Sequence, residues 1–555
     1  MPWHITSDFE TYEKARQEFT WDFPSEYHPA RDLITKHPNV EKQTALIDAA
    51  AGQEYTFTEI NQMSNRLANA LSEIGITADD RVGVVSPQRV ETPVSHLAIW
   101  KLGAITVPMT TMYGTDAIAY RLSDSDAKAV IFDPSVDQAV ANAAAECDSL
   151  EHAIILDEHQ WYDGSKSQKS SDLTYPVKTS YYENKIENQS TEFTPPSGSV
   201  TDGSAVMYTS GSTGKPKGAL HSHALWLGRA AAAFNFFDGN MDSAAINWTP
   251  ADWAWGSALG GLLMGSWHYG VTVVAAPMQG FDPESVYTLL EEQTITNALI
   301  PPTALRMLME ESPESYDLSL KTIASAGEPL TPEILTWADE TFESLTVNEY
   351  YGQTELNLVV SNASRWFEVQ PGSMGKPLPG YDVKILDPET YDELPPGEVG
   401  EIAVKPENDE VFFDRYINRS QATKEKQHDR WYLTGDHASM DENGYIWFKS
   451  RADDVIITSG YRVGPLEVEQ VLLKHPAVEQ AGVIGIPDQT RGEIIKAYVE
   501  LTAEAEPSSQ LREELQELAK DRLATHEYPR EIEFADSLPM TSSGKIQRTK
   551  LRENN

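Results

Sequence analysis

The first long pattern along the chain is an amphipathic segment that leads into a series of short apolar runs. Apolar side chains of the segment 56–76 recur every three or four residues, at Ile60, Met63, Leu67, Leu71 and Ile74. This period predicts a helix with one buried face. We expect Thr58 to cap its start and Gly75, which adopts positive φ without strain, to end it.

Apolar runs at 81–85, 103–109 and 129–133 predict buried strands, and a helix-like stretch leads into the second of them. Helices that alternate with such strands indicate an α/β chain with largely parallel sheets. Residues 163–204 are polar and rich in Ser, Gly and Pro. We therefore expect a surface connection there, with some strand at 176–180.

The C-terminal part of the chain carries smaller elements. Residues 482–488 and 496–501 predict short strands, and residues 508–526 predict an amphipathic helix. The apolar face of this helix carries Leu511, Leu515, Leu518 and Leu523. These elements predict a separate small domain, so we divide the chain into 1–452 and 453–555.

Composition places the chain among globular proteins. With 555 residues, 40% of them hydrophobic, and 13 tryptophans it can bury a large core. The single cysteine, Cys147, excludes an internal disulfide framework and fits a reducing compartment. No apolar run has the length of a bilayer span, and the N-terminus lacks the pattern of a signal peptide. We expect a soluble cytoplasmic protein.

The charge of the chain is strongly negative. Its 43 Lys and Arg residues face 85 Asp and Glu residues, which gives a net charge of −42. Nucleic acid and anionic membranes would be repelled, so we expect neither as a partner. The carboxylates are spread along the whole length without a block. Two interpretations fit: an ordinary acidic enzyme, or a halophilic protein adapted to molar salt, which we favour.

The strongest local motif is Tyr208-Thr-Ser-Gly-Ser-Thr-Gly-Lys-Pro-Lys-Gly218, directly after an apolar run. Glycines let backbone N–H groups approach an anion, hydroxyls donate to phosphate oxygens, and lysines neutralise charge. The segment is not a Walker A loop, because Pro216 stands where that loop needs Ser or Thr. A flexible linker is the alternative, and two lysines with an interposed proline argue against it.

Six further motifs follow in order along the chain. They are AGEP at 326–329, YGQTE at 351–355, YLTGD at 432–436, RADD at 451–454, SGYR at 459–462 and SGKIQR at 543–548. With the loop they resemble the adenylate-forming superfamily, most closely its medium-chain and acetyl-type acyl-CoA synthetases. The resemblance covers nearly the whole chain. It implies a large N-terminal α/β domain of stacked mixed and parallel sheets with helices, and a small mobile α+β C-terminal domain.

The resemblance assigns a nucleotide site to this chain. ATP or AMP would be bound by Thr209, Ser210, Gly211, Ser212, Thr213, Gly214, Lys215, Lys217, Gly327, Glu328, Pro329, Tyr351, Gly352, Gln353, Thr354, Asp436, Arg451 and Lys545. Thr354 would contact the α-phosphate, and Asp436 would accept the two ribose hydroxyls. Glu355 would help to hold Mg²⁺, which prefers carboxylate and phosphate oxygens.

Lys545 is the residue to which the resemblance gives the central catalytic role. The matching lysine swings in with the small domain, about a hinge at the position of Asp453, and bridges the carboxylate and the α-phosphate. The alternative is a surface lysine in a basic patch. The catalytic set is Lys545, Thr354 and Glu355. The residues assigned to CoA are Ser459, Gly460 and Arg462.

Three positions shape the acyl pocket in acetyl-specific members of that family, and all three carry small residues here. They are Gly352 in place of a Trp, Ala326 in place of a Val, and Gly256, after Trp255, in place of a Val. Each buried CH₂ group contributes about 0.8 kcal/mol, so we expect an acid larger than acetate, whether medium-chain, branched or aromatic. The alternative is that another side chain, such as Trp253, fills the space.

Together these motifs predict an AMP-forming acyl-CoA synthetase, an acid–thiol ligase. It would convert a carboxylic acid, ATP and CoA into acyl-CoA, AMP and pyrophosphate. Acetyl- or propionyl-CoA synthesis is one alternative, and the loading of a carrier protein is another. A luciferase-like oxygenase and a non-catalytic nucleotide-binding relative fit the motifs less well. His221 and His223 lack the further ligands that a metal site needs.

We predict that added KCl stabilises the protein. At molar salt the Debye length falls to about 3 Å, which screens the repulsion among the excess carboxylates. The thermal unfolding midpoint, followed by circular dichroism from dilute buffer to molar KCl, should therefore rise. A midpoint that does not rise with KCl would contradict the salt-adapted interpretation and leave an ordinary acidic enzyme.

Overall fold

The structure is a computed structural model. It describes residues 8–167, 173–209, 215–328, 330–451, 454–458, 461–488, 492–522, 528–540, 545–553 and 555. The chain forms two compact units, of which the first comprises Met1–Asp382 with Val404–Tyr432 and the second Val383–Ala403 with Leu433–Asn555. The domain boundary at residue 452 stays a prediction.

An eight-stranded sheet belongs to the first unit. Its strands, in spatial order, are Arg415–Tyr416, Lys217–Ser222, Gly203–Thr209, Ile105–Met109, Arg81–Val85, Ala127–Phe132, His152–Ile155 and Lys178–Tyr181. The first three pair in antiparallel fashion and the others in parallel. The strands predicted at 81–85, 103–109 and 129–133 are confirmed. Their side chains are largely buried, as parallel sheets require.

A nine-stranded sheet also belongs to the first unit. In spatial order its strands are Lys376–Pro377, Asn357–Ser361, Thr346–Gln353, Thr322–Ser325, Asn297–Leu299, Ile246–Trp248, Thr272–Ala275, Thr44–Asp48 and Gln53–Thr56. Its central strands pair in parallel, and its edge strands are antiparallel. The mixed and parallel sheets of the predicted fold class are thus present.

Helices connect these strands. The α-helices of the first unit are Tyr12–Glu18, Phe57–Glu73, Glu91–Lys101, Thr115–Asp124, Asp137–Ala144, Tyr182–Ile186, Ala224–Phe236, Gly265–His268, Pro283–Glu292, Pro302–Leu308, Pro332–Thr341 and Ser420–Glu425. Two π-helices, Ala30–Thr35 and Ser257–Met264, and three 3₁₀ turns, Pro134–Val136, Pro313–Ser315 and Asp409–Val411, complete the set. Among the described residues, no helix combines the length and the apolarity that crossing a bilayer demands.

The first predicted helix is present as Phe57–Glu73, but its cap differs from the prediction. Thr56 Oγ1 accepts from the Glu59 N–H at 3.2 Å, and the Glu59 carboxylate accepts from the Thr56 N–H at 2.8 Å. This reciprocal pair is a capping box. The prediction that Thr58 caps the helix is wrong, because the helix begins before it. Gly75 ends the helix with φ +88°, as predicted.

The polar connection predicted at 163–204 contains more structure than expected. Its strand is Lys178–Tyr181, and a short helix that was not predicted follows directly at Tyr182–Ile186. Further along, the side-chain amide of Asn65 donates to the Thr191 carbonyl at 2.7 Å. Tertiary contacts of this kind leave no periodic pattern in the sequence of the connection.

The chain passes between the two units within three strands of a five-stranded sheet. This sheet consists of Tyr381–Leu386, Val399–Pro406, Trp431–Met440, Gln427–His428 and Ile446–Arg451.

The second unit has a five-stranded sheet of its own. The strands are Tyr461–Val463, Ile456–Thr458, Gly492–Leu501, Val478–Asp488 and Glu531–Ala535, and the helices are Pro465–Leu472, Ser509–Arg522 and Arg548–Glu553. The predicted strands at 482–488 and 496–501 are confirmed as parts of longer strands. The predicted helix buries Leu511 and Leu515, while Leu523 lies outside the described residues.

Candidate active site

The glycine-rich motif at 208–218 connects two antiparallel strands of the eight-stranded sheet. Thr209 ends the strand Gly203–Thr209 and pairs with Lys217, the first residue of Lys217–Ser222. The hairpin thereby holds the two ends of the loop side by side. The loop residues predicted to bind phosphate between these ends lie outside the described residues; they are Ser210, Gly211, Ser212, Thr213 and Gly214.

Two lysines of the motif lie over aromatic rings. Lys215 Nζ is 5.0 Å from the centroid of the Tyr120 ring, and Lys217 Nζ is 5.3 Å from that of Tyr416. A cation–π contact orients an ammonium group but leaves its charge in place. Tyr120 and Tyr416 thus position the two ammonium groups at the C-terminal end of the loop.

Tyr416 connects the loop to Glu355. Its hydroxyl donates to Glu355 Oε1, and its strand pairs with the one that follows the loop, Tyr416 opposite Ala219. The Glu355 main chain is held as well, because its carbonyl accepts from the Phe413 N–H at 2.8 Å. Tyr416 belongs to none of the motifs, so the sequence does not predict it. The structure thus brings Lys217 and Glu355 to one ring.

Glu355 fits the predicted role of a Mg²⁺ ligand. Its carboxylate is buried and bonded to a neutral hydroxyl rather than to a cation. Mg²⁺ usually takes one or two carboxylates and completes its shell with substrate phosphates and water. In the described part of the chain no three His, Cys, Asp or Glu side chains form a cage for a metal. A single carboxylate suits a metal that arrives with phosphate.

The motif at 351–355 forms a strand end and the turn that follows. Tyr351, Gly352 and Gln353 end one strand of the nine-stranded sheet. Thr354 and Glu355 lie in the turn to the next strand. This turn therefore presents the two residues that were predicted to act on phosphate and metal.

Gly352 stands where the main chains of two strands approach most closely. The register between its strand and Asn357–Ser361 shifts between Tyr351 and Gly352. A methyl group on Gly352 would lie 2.0 Å from the Asn357 carbonyl oxygen and 2.8 Å from Leu358 Cα. No side chain fits there, so main chain, not an indole, forms the boundary at this predicted acyl-pocket position.

The segment with Gly327, Glu328 and Pro329, which was predicted to bind the nucleotide, follows the strand Thr322–Ser325. Ala326 is half-buried, and Gly327 has φ +98°, which turns the chain away from the sheet. The Glu328 carboxylate accepts from Thr303 Oγ1 at 2.8 Å and from Arg306 at 3.0 Å. Its side chain is therefore tied to a neighbouring helix. Pro329 lies outside the described residues.

The acyl-pocket position Gly256 faces a charged residue that was not predicted. A methyl group on Gly256 would lie 3.5 Å from Arg229 Nη2 and 3.5 Å from Met207 Sδ. Because the Arg229 guanidinium lies this close, the surroundings of Gly256 are partly charged and not purely apolar. Trp255 is half-buried, and Trp253, the alternative filler of this space, is fully buried.

In the second unit the structure brings together two of the predicted nucleotide contacts. Asp436 and Arg451 are opposite each other on antiparallel strands, with Asp436 Oδ1 and Arg451 Nη1 3.5 Å apart. The Asp436 N–H donates to Thr434 Oγ1 at 3.0 Å. Asp436 is buried and Arg451 is exposed, so the pair combines a fixed carboxylate with a more accessible guanidinium.

Lys545 is exposed at the end of the second unit. The main chain of Arg462 lies in the strand Tyr461–Val463, opposite Ile457. The predicted hinge and the other predicted CoA contacts also lie outside the described residues; they are Asp453, Ser459 and Gly460.

Two arginines that follow Lys545 in the sequence, Arg548 and Arg552, form ion pairs. Arg548 contacts Asp454 at 3.1 Å and Glu469 at 2.7 Å, and Arg552 contacts Asp454 at 3.0 Å. Both arginines are thus tied to carboxylates within the second unit. Whether Lys545 is catalytic or a surface lysine of a basic patch stays open.

Two histidines that follow the loop are buried. Burial lowers the pKa of His221 to about 3 and the pKa of His223 to about 3. Both imidazoles are therefore neutral. His221 lies near Arg229, whose charge adds to the lowering of the His221 pKa.

Comparison with known proteins identifies the family. A family model described as AMP-binding enzyme matches residues 35–408, and one described as AMP-binding enzyme C-terminal domain matches residues 467–545. The chain belongs to the AMP-binding enzyme family. Together the two matches span both the loop hairpin and the C-terminal elements that follow it.

This AMP-binding enzyme is similar to acyl-CoA synthetases over nearly its whole length. Acyl-coenzyme A synthetase ACSM3, mitochondrial, from Mus musculus is 34% identical over 98% of this chain and 93% of the mouse protein. Acetyl-coenzyme A synthetase from Bacillus subtilis (strain 168) is 35% identical over 98% and 95%. The anthranilate CoA ligase AuaEII in complex with anthranoyl-AMP is 28% identical, with a TM-score of 0.85 over 96% and 98%.

These similarities confirm three predictions made from the motifs. The chain is a member of the adenylate-forming superfamily, it has the predicted two-part α/β fold, and it is an AMP-forming acid–CoA ligase. ATP and CoA are accordingly its substrates. The roles of individual residues stay predictions.

We predict that Gly352→Ala destabilises the protein. The added methyl group would meet the Asn357 carbonyl at 2.0 Å, and relieving such overlap shifts the main chain at a cost of about 1–3 kcal/mol or more. Urea unfolding should report this loss. Gly280→Ala is the control, because nothing lies within 4 Å of its methyl group; it should change stability by less than about 0.5 kcal/mol. Equal stability of the two variants would contradict the packing described for Gly352.

Proposed function

We propose that this enzyme activates a carboxylic acid larger than acetate with ATP and then transfers the acyl group to CoA. The observation that carries the proposal is the main chain at Gly352, which excludes any side chain from a position where acetyl-type enzymes of the resembling family have an indole. Ala326 and Gly256 are small in the same way. The similar ligase that holds anthranoyl-AMP supports an acid of aromatic size.

In the first step a carboxylate oxygen attacks the α-phosphorus of ATP. A bond forms between that oxygen and phosphorus, the bond to the β-phosphate oxygen breaks, and pyrophosphate leaves with both electrons of the broken bond. Lys215 and Lys217, oriented by their tyrosine rings, offset the charge of the phosphates. Glu355 would hold Mg²⁺, which supplies charge neutralisation at the phosphate oxygens when bound.

Three residues of the second unit complete the proposed first step. Asp436, buried and paired with Arg451, would accept the ribose hydroxyls with its carboxylate oxygens. Lys545, which is exposed, would approach the reacting carboxylate and the α-phosphate and offset charge in the transition state.

In the second step the CoA thiolate attacks the carbonyl carbon of the acyl adenylate. A carbon–sulfur bond forms, the bond from carbon to the AMP oxygen breaks, and AMP leaves. Rotation about Asp453 would move Lys545 away from the nucleotide and bring the segment with Ser459, Gly460 and Arg462 to the acyl adenylate. This part of the proposal rests on the family resemblance. A hinge of this kind needs only a few residues that absorb the change in φ and ψ.

A second candidate is the synthesis of acetyl- or propionyl-CoA. It is favoured by the similarity to the Bacillus subtilis protein named acetyl-coenzyme A synthetase, which is 35% identical. Both candidates share the two chemical steps and differ only in the size of the acyl pocket.

We place the reaction in a reducing, salt-rich cytosol. Cys147, the single cysteine, is buried, and the net charge of −42 is spread along the chain. Screening by salt would allow such a chain to stay compact.

We predict that exchange of pyrophosphate into ATP depends on the acid supplied. With acetate, butyrate, octanoate and benzoate at high KCl, kcat/KM should be lowest for acetate, because each buried CH₂ group adds about 0.8 kcal/mol of binding. Thioester formation should appear when CoA is added. The highest kcat/KM for acetate would favour the acetyl-CoA candidate, and exchange without thioester formation would favour an enzyme that loads a carrier protein.

We predict that Lys545→Ala separates the two half-reactions. Carboxylate-dependent exchange should fall by about 100-fold or more, because charge offset in the transition state is lost. Thioester formation from supplied acyl adenylate should be kept, since this lysine has no part in it. Lys550→Ala removes another exposed lysine nearby and should leave both half-reactions unchanged. Equal losses of both halves in Lys545→Ala would contradict the assigned role.

A further inference from the structure

The helix Ala224–Phe236 carries one charged residue in an otherwise uncharged sequence. Every residue of this helix except Phe234 is buried, as in helices that run through the interior of a large domain. The charged residue is Arg229, near the middle of the helix, with an exposed fraction of 2%. Arginine is rarely buried to this degree unless it is paired.

Arg229 has no such partner within the described residues. No carboxylate forms an ion pair with its guanidinium, and its buried Nε makes no hydrogen bond. Burial lowers the pKa of Arg229 to about 10, and only the phenols Tyr350 and Tyr381 act in the opposite direction. A buried charge without a counter-charge is strongly unfavourable. A bound anion would supply the missing counter-charge.

Polar groups close to Arg229 are also left without partners. His221 is fully buried, and neither of its ring nitrogens has a hydrogen-bond partner in the described part of the chain. The buried Tyr381 hydroxyl likewise has none. Because buried polar groups are normally satisfied, a cation surrounded by unused hydrogen-bonding groups indicates a site for an oxyanion.

The guanidinium lies beside the predicted acyl pocket. A methyl group on Gly256 would lie 3.5 Å from Arg229 Nη2, and one on Gly260 would lie 2.9 Å from Arg229 Cγ. Gly256 directly precedes the π-helix Ser257–Met264, and π-type turns are frequent at functional sites. A methyl group on Gly256 would also lie 3.5 Å from Met207 Sδ, so Arg229 and Met207 both border the space at this predicted acyl-pocket position.

We infer that Arg229 binds a second carboxylate, carried at the far end of the acyl group, and that the substrates are dicarboxylic acids. The inference rests on the proposed acyl activation and specifies its substrate class. A guanidinium presents paired N–H donors that match the two oxygens of a carboxylate. A monocarboxylic acid of equal length would bring a methyl group to Arg229 and leave the charge unpaired, so the pocket selects by charge as well as by length.

The test compares matched acids on the intact enzyme. The pairs are succinate with butyrate, glutarate with pentanoate, and adipate with hexanoate, each assayed by exchange of pyrophosphate into ATP. We expect at least one dicarboxylate to exceed its monocarboxylate by about tenfold or more in kcat/KM. Titration calorimetry with the same pair should show the same order of affinity without turnover.

Substitutions at Arg229 test whether this residue causes the preference. Arg229→Met keeps an unbranched side chain without charge. It should lower kcat/KM for the preferred dicarboxylate by about 100-fold or more and raise it for the matched monocarboxylate. Arg229→Lys keeps the charge and should keep part of the preference. Arg365→Met removes a guanidinium that has a partner, Asn235 at 2.7 Å, and should leave the ratio of the two acids unchanged.

The outcomes separate this inference from the proposed function. A wild-type enzyme that prefers the monocarboxylate in every pair overturns the inference and leaves acyl activation intact. Equal losses for both acids in Arg229→Met also overturn it, because a purely structural arginine would affect both alike. Should that variant fail to fold, the wild-type comparison decides. Exchange with none of the acids contradicts the proposed function, and calorimetry then decides whether dicarboxylates bind.

Discussion

The carboxylate of the acid and the phosphates of ATP are both anionic, and they have to approach each other in a chain with a net charge of −42. Their repulsion is the constraint on which the site depends. Positive charge therefore has to be local. Lys217 lies over the ring of Tyr416, and the hydroxyl of the same tyrosine donates to Glu355. One tyrosine thus contacts both a lysine that is predicted to bind phosphate and a carboxylate that is predicted to hold the metal.

The shape of the predicted acyl pocket depends on how closely two main-chain segments approach each other. At Gly352 two strands come so near that any side chain is excluded. At Gly260, in the π-helix, an added methyl group would lie 2.9 Å from Arg229 Cγ, whereas at Gly256, just before that helix, it would make an ordinary contact of 3.5 Å with Arg229 Nη2. Main-chain packing therefore excludes a side chain at Gly352, and a buried guanidinium borders Gly256. In the predicted pocket, size and charge would thus come from different elements.

The second unit ties two of its arginines into ion pairs. Arg548 and Arg552 are paired with carboxylates, among them Asp454, which follows the predicted hinge. The carboxylates of these pairs are buried, so removal of an arginine would leave a buried charge unpaired. They tie the C-terminal helix to the segment after the hinge, while Lys545, just before that helix, is exposed.

The sequence by itself determined the parts that depend on residues near one another in the chain. These are the apolar period of the helix Phe57–Glu73, the buried strands, and the motifs from the loop to Lys545 that place the chain in its family. Only the tertiary structure decided that Tyr416 bonds to Glu355 and that Arg229 is buried with no partner among the residues that the structure describes. Such contacts join residues distant in sequence, and burial follows from what other segments cover, so neither leaves a local pattern to be read.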